Sequence, residues 1–321
     1  MKTTAKIGLL IAAALIVLGI VLFGLVMSVN HWDFTRLSSD ACETEIWEIR
    51  EDFRDIAVRS DTAKVAFVPA DGGGCRVEIH APTSWKRTAE VKNGALTVAV
   101  TDERRWYEAL NLFNFESPKI TVYLPRGEYG ALTLENDTGD VSVPADFRFT
   151  GIDVSCSTGD VRCAASARDA IRIRLSTGDI LLEDLSAGEL ELTASTGAIT
   201  LRNVACAGAL SQRVSTGKTV LTNVTCAELT SSGSTGDLTM ENVLISGKLT
   251  VSRSTGDVKL DRCDAAELSI KTETGRVSGS LLSEKVFIVK SDTGKIDVPD
   301  TAAGGRCEIA TDTGNISISL K

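Results

Sequence analysis

The chain has 321 residues, with 34 Lys+Arg against 43 Asp+Glu, a formal net charge of −9, 43% hydrophobic residues and only 5% aromatics. That apolar share is enough for a packed core and excludes wholesale disorder. The negative balance excludes a general nucleic-acid binder, because a phosphate backbone selects for basic surfaces, and 2 His in the whole chain leave little room for histidine-based chemistry.

The first element is the run Ile7 to Val29, which contains no charged residue. A hydrocarbon core of ~30 Å needs about 20 apolar helical residues, so this run is long enough to span it. Lys2 and Lys6 precede it, and Trp32 follows at an interfacial position. The expectation is a cytoplasmic stretch 1–6, a transmembrane anchor 7–29, and the rest of the chain outside the cell membrane. A cleaved signal peptide is the alternative, but those have apolar cores of about 7–15 residues and a small-x-small cleavage site.

Residues 30–129 read as an irregular β cap or first coils. Alternation is visible in Val65-Ala66-Phe67-Val68, Leu96-Thr97-Val98-Ala99-Val100 and Ile120-Thr121-Val122-Tyr123-Leu124, with turn signals at Gly72-Gly73-Gly74 and Lys92-Asn93-Gly94. All 4 Trp and 3 Tyr lie at or before Tyr129, which suits a cap over an open core end. Within it, 103–116 reads as a short amphipathic helix with Trp106, Leu110 and Phe113 on one face. That face either covers the mouth of the core or meets a partner.

From residue 130 the chain repeats. Thr-Gly recurs with Gly139, Gly159, Gly178, Gly197, Gly217, Gly236, Gly256, Gly275, Gly294 and Gly314, at intervals of 19 or 20 residues. Seven and five residues before each Gly stand apolar pairs such as Ile171/Ile173, Leu190/Leu192 and Phe287/Val289; two and four after it stand others, such as Ile180/Leu182, Ile199/Leu201 and Ile296/Val298. Spacing of two means strands with one buried face. A further apolar residue seven after Gly (Leu185, Val204, Val224, Val243, Leu282) marks another inward point. One unit cannot bury its inward face alone, but stacked units make columns of Leu, Ile and Val. The fold class is therefore all-β: a single-stranded β-solenoid of about ten coils over 130–321, extending ~48 Å at ~4.8 Å per coil. Gln212, Ser231, Gly233 and Arg253 interrupt the inward columns, and relaxed packing near coil edges is the expectation for them. The chain stops at Lys321 directly after the last strand, which predicts an uncapped edge open to self-association.

Several motifs imitate chemistry. Asp-Thr-Gly at Asp137, Asp292 and Asp312 resembles an aspartic-protease signature, but the copies lie in phase with the repeat, whereas that reaction needs two carboxylates facing one another. Ser215-Thr216-Gly217-Lys218 has S-x-x-K spacing on a predicted turn, where no helix brings Lys to Ser. Asp140, Asp160, Asp179, Asp237 and Asp257 follow their glycines and would stack; without the second glycine of calcium-binding repeats they read as solvated turn residues. No cofactor is expected. The 8 Cys make no C-x-x-C, and buried free thiols are the default. Cys206 and Cys226 fall at equivalent positions of adjacent coils and are a possible disulfide, as are Cys156/Cys163 and Cys42/Cys75.

The unit L-x-L-x-x-S-T-G-D-[IV]-x-L-x-x-V, as in 171–185 and 190–204, together with the stretch Ser117 to Pro125, resembles the bacterial "putative adhesin" β-solenoid family of unknown function. The resemblance covers about 45–321. It implies a cell-surface or envelope domain and carries over no catalytic residue. The leading reading is a non-enzymatic, membrane-anchored extracellular solenoid acting as an adhesin or envelope-interaction surface, with an envelope polymer or membrane protein as partner. A stress sensor binding a membrane protein through 103–116 is the alternative. A polysaccharide-active β-helix is a distant third, since 130–321 holds no Trp, Tyr or His.

Overall fold

The computed structural model describes residues 3–29, 31–32, 42–70, 72, 74–102 and 117–321. The proposed face of Trp106, Leu110 and Phe113 lies outside the described residues. A helix, Thr3–Val29, opens the chain, and its stretch Gly8–Val29 is long and apolar enough to cross a membrane. Everything after it is strand and turn, joined in one sheet system.

The repeats stack as a β-solenoid. Equivalent residues of successive coils pair in parallel and in register, as in Ile152↔Ile171, Ile171↔Leu190 and Leu190↔Leu210 before the turn and Ile180↔Ile199 and Ile199↔Thr219 after it. The inward columns Leu132, Ile152, Ile171, Leu190, Leu210 and Leu229 are buried along their length. Burial of this kind contributes about 25 cal/mol per Å² of apolar surface, and it becomes available only once a neighbouring coil is in place.

The cap holds three antiparallel pairings: Cys42–Ile49 with Cys75–Pro82, Cys75–Pro82 with Lys119–Pro125, and Lys86–Lys92 with Ala95–Thr101. The last pair turns at Asn93-Gly94, both at positive φ, as a tight hairpin requires. Between cap and repeats lies one further rung, Asp55–Thr62 and Lys64–Ala70, whose Ala63 takes the place of a turn glycine against Gly139. Eleven turns are thus stacked, counting Ala63 with the ten glycines.

Two expectations are corrected here. The spatial order of the last coils is not their order in sequence. Gly275 donates its N–H to Thr313, and Gly314 donates to Thr293. Gly305–Thr313 therefore lies between Val258–Thr274 and Lys285–Thr293, and Ile316–Leu320 lies between Val277–Leu281 and Ile296–Asp297. The chain's final strand is interior, and the open edge belongs to Lys285–Thr293 and Ile296–Asp297. As a result Phe287, Val289 and Val298 are only partly buried and Ile296 is exposed. The second correction concerns Leu282. The Gly275 coil slips in register after Leu260↔Gly279, so that Cys263 pairs with Leu281. Leu281 is buried, and Leu282 points outward, 44% exposed.

Candidate functional site

The turn edge is where the repeated polar residues collect. Eight of the ten glycines have φ between 126° and 157°, the exceptions being Gly275 and Gly294. At all ten a Cβ would run into the backbone carbonyl stacked beneath it, so glycine is required by close approach as well as by conformation. Each turn passes backbone hydrogen bonds to the next: Gly139 N–H to Thr158, Gly159 to Thr177 and Gly178 to Thr196, at 2.8–3.0 Å.

The aspartate after glycine closes this pattern. Asp140 Oδ1 accepts the N–H of Asp160 at 3.1 Å, Asp160 that of Asp179 at 3.0 Å, and Asp179 that of Ala198 at 2.7 Å. Asp237 accepts from Asp257, Asp257 from Arg276, and Asn315 from Lys295. Each side chain satisfies a backbone donor of the neighbouring coil that would otherwise be orphaned. The Asp160 N–H is also the main reason that Asp140 is held below its ordinary carboxylate range, with Lys64 adding to it.

A second ladder escaped the sequence reading. Asp184, Asn203, Asn223, Asn242 and Arg262, each six residues after a turn glycine, have φ of 51–55°. Asn203 donates to Asp184 at 2.7 Å, Asn223 to Asn203 at 2.9 Å, Asn242 to Asn223 at 3.0 Å, and Arg262 Nε to Asn242 at 2.7 Å. Asn is the non-glycine residue best suited to this left-handed conformation, and its amide both donates and accepts. The recurrence of Asn before Val at 203, 223 and 242 was the available signal.

The interruptions of the inward column are buried, against the expectation of relaxed edges. Gln212, Ser231 and Arg253 are each under 5% exposed. Gln212 Nε2 and Arg253 Nη2 both donate to Ser231 Oγ, at 2.8 and 2.7 Å, and Arg253 Nη1 donates to the Ser252 carbonyl at 3.2 Å. Gly233 leaves the room that the guanidinium fills. Among the described residues no carboxylate pairs with Arg253, and burial pushes its pKa down to about 10.

All eight cysteines are free thiols. Cys206 and Cys226 follow the paired residues Ala205↔Thr225 and occupy successive rungs of one column, where burial raises both pKa values, that of Cys226 to about 12. Cys156 and Cys163 are buried, bonded weakly to the carbonyls of Gly139 and Ala165. Cys42 pairs with Pro82 while Cys75 pairs with Ile49. They therefore stand seven residues apart along one ladder, ~24 Å at strand rise, too far for the suggested staple.

The motifs that imitate catalysts do not converge. Asp292 and Asp312 precede the paired Thr293 and Thr313 at the far end, and Asp137 precedes Thr138 at the near end. Ser215 and Lys218 flank an ordinary repeat turn. Among the described residues no group of three His, Cys, Asp or Glu is placed to hold a metal ion.

The concave feature with the most distinct chemistry lies beside the cap, at the corner before the inward strands. A groove of about 510 Å³ is lined by Arg54, Glu128, Tyr129, Arg148, Phe149 and Arg168, among others. Phe149 stacks between Tyr129 and Ala167, and Arg148 between Glu128 and Ser166. Tyr129 anchors the floor: its ring lies 6.2 Å from Phe53 and 5.9 Å from Phe149, and its hydroxyl donates to the Pro125 carbonyl at 2.7 Å. Burial raises the Tyr129 pKa to about 12, so the phenol stays neutral. Arg168 is paired with Asp169 at 3.1 Å, whereas Arg54 and Arg148 make no ion pair among the described residues. A second groove of about 640 Å³ continues past Thr150, floored by Ala131, Gly151, Ala170, Gly188 and Gly208.

The sequence model of the family described as Toastrack DUF4097 matches residues 53–213 and 208–321, and the chain belongs to that family. No curated protein matches it. Among solved structures it is similar to a putative adhesin from Parabacteroides distasonis ATCC 8503, at 12% identity over 87% of this chain and 98% of that chain, TM-score 0.49. It is also similar to a putative adhesin from Parabacteroides merdae ATCC 43184, at 11% identity over 88% and 98%, TM-score 0.49. A third is a putative lipid binding protein from Parabacteroides distasonis ATCC 8503, at 10% identity over 86% and 97%, TM-score 0.31.

Proposed function

We propose that this Toastrack chain is a non-catalytic binding rod, anchored by Gly8–Val29 and displayed outside the cytoplasm, with the arginine groove as its contact for an anionic envelope polymer. The observation that carries the reading is the groove itself. In a chain of net charge −9, Arg54 and Arg148 stand unpaired over an aromatic floor in one continuous concavity. Guanidinium groups recognise carboxylate and phosphate bidentately, and an aromatic floor packs against the apolar faces of sugar rings. The polar residues of the turns support a structural role for the repeat motif, because the Asp ladder is engaged in coil-to-coil hydrogen bonds.

The test is co-sedimentation of the full chain in detergent with an anionic envelope polymer and with a neutral one. The anionic polymer should bind, weakening as salt rises through the range where the Debye length falls below ~8 Å. Arg148→Glu should weaken it at least tenfold. Equal binding of neutral and anionic polymer, or an Arg148→Glu variant that binds as before, would sink the assignment. Protease shaving of intact cells reads the location separately, and a fully protected chain recovered from the cytosol overturns the anchored reading.

A further inference from the structure

The two ends of the rod differ in how they treat their open edges. At the cap end the outer strands are Lys86–Lys92 and Cys42–Ile49, which carry Lys86, Arg87, Glu90 and Lys92 on one and Glu43, Glu45 and Glu48 on the other. Charges on an edge discourage further pairing. The far end is the opposite. Lys285–Thr293 pairs only with Gly305–Thr313, and Ile296–Asp297 pairs only with Ile316–Leu320. Ile296 is 44% exposed, whereas its counterparts Val277 and Ile316 are fully buried. Val286 and Ile288, at 39% and 50% exposed, extend the apolar surface along the same edge.

What this end accepts is indicated by its charges. Lys290-Ser291-Asp292 precedes the last turn and Lys295-Ile296-Asp297 follows it. Ser291 and Ile296 both occupy inward columns beside that turn, so one two-fold axis serves both strands. Antiparallel pairing about that axis sets Lys290 against the Asp292 of a second copy and Lys295 against its Asp297. Ile296 then meets Ile296 at the centre. Parallel stacking would instead place lysine on lysine. Segment 103–116 is not the occupant. It is tied to Asp102 and Ser117 in the cap, and fourteen residues reach at most ~50 Å extended, too short to cross eleven rungs of ~4.8 Å and return.

We propose that the far end is a self-complementary docking edge for a second copy of this chain, joined tail to tail in an isologous two-fold pair. The pair continues both sheets across the interface and points the two cap ends, each followed by its apolar helix, in opposite directions. Where the chain is anchored outside the membrane, as proposed above, such a pair bridges two membranes and gives the adhesin reading a partner: another copy of itself.

The pairing is tested on the full chain in detergent by light-scattering mass across a dilution series. Wild type should dimerise. Ile296→Lys should raise the dissociation constant at least tenfold. Lys295→Asp should weaken pairing by a smaller factor, and adding Asp297→Lys should restore it, which a merely structural effect or helix-driven association would not do. Thermal melts of each variant check that the fold is kept. A monomer throughout the series, or a dimer indifferent to all three variants, overturns the proposal. Clustering of phosphatidylcholine vesicles carrying the full chain, lost with Ile296→Lys, tests the bridging. Because detergent mass does not depend on where the chain resides, failed pairing leaves the anchored, polymer-binding reading standing, and failed anchoring leaves the pairing measurable.

Discussion

The coils before Gln212 and those after it are built on the same backbone with different interiors. In the column three residues before the turn glycine, the earlier coils carry Cys156, Leu175, Ala194 and Val214, and the later ones carry Gly233, Arg253, Thr272 and Thr311. The register persists across the change. What the two halves share is the turn edge, where glycine close approach and backbone hydrogen bonds repeat without regard to the column behind them. Rung geometry is therefore set at the turn, and the core is free to vary so long as its polar atoms find partners. The family match divides at the same place, 53–213 and 208–321.

If the turn sets the geometry, damage there should exceed damage in either interior. Gly197→Ala places a side chain at φ 137° against the Gly178 carbonyl, and it should cost roughly 4 kcal/mol, read from the urea midpoint. A loss below ~1 kcal/mol would put the governing interactions elsewhere. In the apolar half, Leu192→Ala removes a buried column member and should cost about 3 kcal/mol, the middle of the range for buried leucines. In the polar half the sign should reverse. Arg253→Leu replaces a buried cation without a carboxylate partner and should stabilise by about 1–2 kcal/mol; a loss would show that the Ser231 bonds outweigh desolvation.

The smallest effect is in acid. Asp140 has a folded pKa below its unfolded one, chiefly through the Asp160 N–H. Its contribution is present above the ordinary carboxylate range and is lost as pH falls through the lowered folded value. Its side chain is 40% exposed, so the effect is under ~0.5 kcal/mol. Asp140→Asn should flatten the acid limb of a stability-versus-pH curve by that amount, and an unchanged limb would assign the acid response to other carboxylates.

Strand periodicity and the glycine turns were legible because each is local: apolar spacing of two and a recurring Thr-Gly sit within one coil. The Asn ladder was equally local but was passed over because attention fell on the apolar positions around it. Other features had no local signature. The burial of Arg253 depends on Gly233 in the coil before it, and a lone arginine in a column reads the same whether it points in or out. The arginine groove assembles Arg54 from the cap with Arg148 and Arg168 from successive coils, contacts that only the stacking supplies. The exchanged order of the last coils is invisible to a repeat interval, which measures distance along the chain and not between rungs.

That exchange bears on how the molecule can be made. A rod whose rungs stack in chain order can grow behind the ribosome or the export channel, one turn at a time. Here residues 285–297 have no surface to rest on until 305–320 has emerged and slid in ahead of them. The final step must therefore wait for release of the finished polypeptide, and a premature stop before Gly305 strands the segment already synthesised.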